Sequence, residues 1–131
     1  MTDDLERFVL AQEPVYAQVL AELKQGRKTS HWMWFIFPQL AGLDHSPMSE
    51  RYAIRSLTEA HAYLAHPLFG ARLRECAELV LAVKDRTAED VFGSIDATKL
   101  RSSMTLFHRA APAEPVFRQV LEHWFGHTAD P

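Results

Sequence analysis

His31-Trp32-Met33-Trp34-Phe35-Ile36-Phe37-Pro38-Gln39 holds two of the chain's three tryptophans and two of its eight phenylalanines. So much aromatic surface must be buried, or must serve as a platform for something flat. Either use puts the segment at the centre of the molecule. A basic loop, Gly26-Arg27-Lys28-Thr29-Ser30, leads into it and Pro38 ends it. Periodicity does not separate a buried helix from a buried strand over so short a run. Helix is favoured, because nothing nearby offers a strand partner.

Working outward, prolines and glycines cut the chain into short pieces whose apolar residues recur with helical spacing. Asp3-Asp4 can cap a first helix presenting Leu5, Phe8 and Val9. Pro14 suits the first turn of a second, with Tyr16, Val19, Leu20 and Leu23 on one face and Gly26 as its stop. Ser49 can cap a turn carrying Tyr52 and Ile54. Ser56-Leu57-Thr58-Glu59 has capping-box spacing and opens a helix through Ala65. Pro67 starts a longer helix with Leu73, Cys76, Ala77, Val80 and Val83 along one stripe. Thr87-Ala88-Glu89-Asp90 opens a turn ended by Gly93, after which Ser94 or Asp96 caps a helix burying Leu100, Met104 and Phe107. Pro112 precedes a last helix with Val116, Phe117, Val120, Leu121 and Trp124 inward, and residues 127–131 are expected to fray. The prediction is one all-α domain, residues 1–131, of about seven or eight short helices.

Composition bounds the function. A chain of 131 residues is one domain's length and buries enough surface for an independent core. A net charge of −3 gives no global attraction to nucleic acid or to an anionic membrane, so any anion site is local. The single cysteine, Cys76, allows no internal disulfide and no cysteine-rich zinc site. The acidic first residues lack the apolar run of a signal peptide, and no apolar stretch approaches the ~20 residues of a membrane span. A cytoplasmic location is expected.

Two polar constellations stand out. Arg27 and Lys28, with Thr29, Ser30 and a flexible glycine, can bind phosphate, especially if a helix starting at Ser30 or His31 adds free N–H groups. The Walker arrangement is absent, since its first glycine and the preceding strand are missing. His31 beside Trp32 and Trp34 can be a general acid or base, or can hydrogen-bond a ligand stacked on an indole. The plain alternative makes the rings core and has His31 satisfy a backbone carbonyl. Gln39 can read an amide or a base edge. The second constellation is Asp96 to Thr105, where Asp96, Lys99 and Ser103 share a helical face and Lys99 neighbours Ser102 and Ser103. Hydroxyls in mid-helix compete with the backbone, so their presence there favours a purpose. The competing account is an N-capping aspartate, a solvated lysine and small residues for packing. Seven histidines do not make a metal site: His123 and His127 have i, i+4 spacing but lack the H-E-x-x-H context.

Gly26-Arg27-Lys28 with Ser30 to Gln39 resembles the signature of an uncharacterised bacterial and fungal family, domain of unknown function 1810. Ser49 to Ile54, Glu59-Ala60, Tyr63 to Pro67 and Asp96 to Phe107 resemble its later segments. The resemblance implies a compact, mainly helical fold and no established activity. Some members carry the label calpastatin. Such inhibitors are long, disordered and poor in aromatics, whereas this chain is 47% hydrophobic, enough for a full core.

Two functions follow as expectations. In the first, the protein binds a phosphate-bearing aromatic small molecule such as a nucleotide derivative. Arg27, Lys28 and Lys99 hold phosphate, Ser102 and Ser103 donate to it, Trp32 or Trp34 stacks, and Gln39 reads the ring's edge. Any chemistry would be hydrolysis or glycosyl transfer, with His31 as acid–base and Asp96 or Lys99 assisting. No cofactor, metal, nucleic acid or membrane is implied. In the second, the chain is a non-catalytic helical interaction module meeting a protein partner or a second copy. The two part company on whether residues 28–39 and 96–105 share a cavity.

Overall fold

The computed structural model describes residues 5–43 and 45–126, and eight helices form among them. They are α1 (Glu6–Gln12), α2 (Tyr16–Gln25), α3 (Met33–Ile36), α4 (Pro47–Tyr52), α5 (Leu57–Ala65), α6 (Phe69–Ala82), α7 (Ala88–Ala110) and α8 (Pro115–Phe125). The domain is all-α, and none of the described helices is long and apolar enough to cross a membrane. The Asp3-Asp4 cap and the tail at 127–131 lie outside the described residues.

Local chemistry sets most boundaries. The Ser56 hydroxyl accepts from the Glu59 N–H at 3.1 Å, and α5 runs to Ala65 as its sequence predicts. Thr87 and Asp90 close a full capping box on α7. Gly93 then breaks that helix at φ 80°, ψ 161°, a conformation essentially reserved for glycine. Two starts differ from expectation. Ser46, not Ser49, caps α4, because Pro47 takes the first helical position and its preceding residue must therefore be the cap. α6 begins at Phe69 rather than Pro67, with Leu68 at its N-cap; in the turn before it, the His66 Nδ1 accepts from the N–H groups of Leu68 and Phe69 at 3.1 and 3.3 Å.

Packing follows from the apolar stripes. α5, α6, α7 and α8 close a ring in which each touches two others, while α2 lies on α6. The short α3 touches α1, α4, α6 and α7, so the aromatic segment is central. Trp32, Met33, Phe35, Ile36 and Phe37 are all buried. Trp32 and Phe37 meet Phe92 at 6.5 and 6.4 Å between centroids, and Phe35 meets Tyr52 at 5.3 Å. α5 and α6 cross so closely that a Cβ on Gly70 would stand 2.1 Å from the Leu64 carbonyl oxygen. Beyond Pro38 the chain is pinned by a short parallel pairing: the Ile54 N–H donates to the Gln39 carbonyl and the Ala41 N–H to the Ile54 carbonyl, both at 2.8 Å. That pairing fixes Gln39 and Leu40 beside Ile54, just after α4.

Candidate functional site

The basic loop is built around an internal carboxylate. Glu22 projects from α2 and is only 2% exposed. Its Oε1 accepts from the N–H of Thr29 (2.8 Å), the N–H of Ser30 (3.1 Å) and the indole Nε1 of Trp32 (2.9 Å). Its Oε2 accepts from the Ser30 hydroxyl (2.6 Å) and the Gln18 amide (2.8 Å). Burial alone pushes this acid up, but the donors of Ser30, Gln18, Thr29 and Trp32 outweigh it and hold it at about 2. The loop does gather N–H groups around an anion, as its composition suggests, and that anion belongs to the chain itself. α3, starting at Met33 and only four residues long, adds no helix-end site.

Lys28 and α7 meet directly. The Lys28 ammonium lies 2.8 Å from Asp96 Oδ2, donates to the Ser30 carbonyl at 2.6 Å and sits 5.0 Å over the Trp32 ring. Lys99 lies 3.7 Å from the other Asp96 oxygen and 4.9 Å over the ring of Trp34. Two ammoniums thus share one carboxylate, and each rests on an indole. Desolvated cation–π contacts of this kind contribute up to about 2 kcal/mol. The cluster ties the aromatic segment to α7, and Trp34 carries it toward a cleft.

Two separate hollows with Leu40 as a common lining residue make up this cleft. One is a recess of about 10 Å³ lined by Trp34, Gln39, Leu40, Ser49 and Tyr52. The other is a cavity of about 190 Å³ walled by Leu40, Leu43, Leu57 and Leu106, with Ser102, Thr105 and Arg109 as its polar members. An engineered void of ~150 Å³ accepts benzene, so this cavity admits one ring-sized group and not a whole nucleotide.

Of the residues singled out by sequence, Trp34, Gln39 and Ser102 line the cleft. Lys99, Asp96 and Lys28 form the adjacent cluster. Trp32 is core, with its N–H committed to Glu22, and Ser103 is fully buried. Arg27 and His31 are exposed and line neither compartment. Thr105, the end of the second constellation, also lines the cleft, whereas the sequence left unmarked Leu40, Leu43, Leu57, Leu106 and Arg109. One signal was available: Ser102, Thr105, Leu106 and Arg109 recur at i, i+3, i+4 and i+7, a single stripe of α7. Among the described residues, no group of three metal-ligating side chains occurs.

The sequence profile described as protein of unknown function (DUF1810) matches residues 2–131, and the chain belongs to that family. It is similar to a solved structure, the conserved hypothetical protein Rv1873 from Mycobacterium tuberculosis. Identity is 54%, over 97% of this chain and 91% of that one, with a TM-score of 0.95. No curated protein matches significantly.

Proposed function

We propose that this member of the DUF1810 family binds a small molecule with one ring-sized group and an anionic substituent such as a phosphate. The observation that carries this is the composition of the 190 Å³ cavity: four leucines line space for a flat apolar group, while Ser102, Thr105 and Arg109 are its polar members along one helical stripe, Thr105 already donating to the Arg101 carbonyl. Pockets that fix small ligands share this make-up, an apolar lining with few convergent polar groups. Arg109 is the guanidinium on the wall and suits bidentate contact with phosphate. Lys99, held on Trp34, adds positive potential nearby. His31 lines neither compartment, so the proposal is one of binding rather than turnover.

Thermal-shift measurements with nucleoside monophosphates test it. Ligand at a hundred times its Kd stabilises by about 2.7 kcal/mol, a rise of several degrees in Tm for a domain of this size. Leu57→Trp, at the exposed first position of α5, fills the cavity and should abolish that rise. Absence of any shift at millimolar concentration refutes the proposal.

A second reading is favoured by the exposure of Leu43 (53%) and Leu57 (46%) at the cavity's rim. It gives the same face to a second copy of the chain, with no ligand. Sedimentation velocity distinguishes it by a concentration-dependent dimer that Leu57→Glu removes.

A further inference from the structure

We infer that the recess beside the cavity selects rings bearing a lactam edge, a carbonyl next to a ring N–H, over rings bearing an exocyclic amine at that place. This rests on the cleft being the ligand site. The Trp34 indole N–H is buried and donates to no described residue, although a buried donor normally has a partner. Trp34 lines the recess, whose volume of about 10 Å³ suits a single oxygen-sized atom.

Gln39 is the next wall residue. Its backbone carbonyl is tied to the Ile54 N–H at 2.8 Å, so its position is set while its side-chain amide keeps an acceptor and a donor. An indole N–H can only donate. A ligand carbonyl oxygen in the recess accepts from Trp34 Nε1, and the adjacent ring N–H donates to the Gln39 amide oxygen. An amino group placed there sets donor against donor at Trp34 and leaves the indole unsatisfied. Ser49 and Tyr52, whose hydroxyls can donate or accept, complete a wall that does not penalise the oxygen. The ring behind that edge then reaches past Leu40 into the leucine-lined cavity.

Inosine and adenosine 5′-monophosphates are matched probes, since they differ at this edge. Calorimetric titration of the wild-type protein should show the inosine form bound about tenfold more tightly, the worth of one buried hydrogen bond with its unsatisfied alternative. Trp34→Phe keeps an aromatic ring and removes the donor, so the preference should fall to near unity while the adenosine form is little affected. In wild-type protein with ¹⁵N-labelled tryptophan, the Trp34 indole resonance should move on adding the inosine form and stay in place with the adenosine form, a readout independent of how the variant folds. Equal affinities, or an unmoved Trp34 resonance despite binding, overturn the lactam edge and leave the cleft standing. Binding of neither nucleotide overturns both.

Discussion

Replacing Glu22 with glutamine keeps the side chain's shape and removes its charge. The Ser30 hydroxyl can rotate to accept and the Gln18 amide can turn, so the hydrogen-bond framework around the loop can persist. What is lost is the charge-assisted strength of five bonds drawn from Gln18, Thr29, Ser30 and Trp32. The magnitude follows from proton affinity. The carboxyl is held at about 2 rather than 4.5, which at ~1.36 kcal/mol per tenfold change amounts to about 3 kcal/mol of stability at neutral pH. Because the folded value lies below the unfolded one, this contribution is complete above about pH 4.5 and disappears as pH falls through about 2. Urea unfolding followed by circular dichroism at pH 7 and pH 3 should therefore show Glu22→Gln destabilised by about 3 kcal/mol at pH 7, and the gap should narrow by roughly 2 kcal/mol at pH 3. A gap that stays constant across that range refutes an ionised Glu22 as the loop's organiser.

Gly70→Ala puts a methyl group 2.1 Å from the Leu64 carbonyl oxygen, so α5 and α6 must separate; we expect a loss of about 2–4 kcal/mol by chemical denaturation, and wild-type stability would contradict the close crossing. The Cys76 thiol is buried, and that burial pushes its pKa up to about 12, so in the folded protein it should resist iodoacetamide at pH 8 and react only on unfolding. Rapid labelling under native conditions, monitored by mass spectrometry, would show the thiol to be accessible.

Helix starts were legible where a hydroxyl is followed three residues later by an acid, as at Ser56 and Thr87, whereas at α4 Ser49 misleads and Ser46 is the cap. The role of His66 escaped because its imidazole holds the turn before α6 only when the free Nδ1 faces those N–H groups, which its own sequence position does not reveal. The cleft was half legible for a related reason. Ser102 looks out of place in mid-helix, and Trp34 and Gln39 stand in an aromatic run, so residue type alone marks them. Leu43 and Leu57 carry no such mark, since a single exposed leucine is ordinary and only their meeting across the cavity gives them a role.

Glu22 shows why charged interiors are the hardest part to read. On α2 it lies beside the Val19–Leu23 stripe, where a carboxylate reads as solvated flank. An unpaired buried carboxylate would be prohibitively costly, so its burial depends on donors being brought to it. Those donors come from the loop that composition presents as an anion site for a ligand. The same residues support either account, and the choice turns on which anion is nearer. Tethered to the adjoining helix, Glu22 meets that loop at a high effective concentration, whereas a free phosphate must be bound from solution. A loop with this composition just after a helix bearing a carboxylate in its last turns is therefore better read as self-filled. The search for an external anion then moves to cations on other elements, which here leads to Arg109 on the far turn of α7.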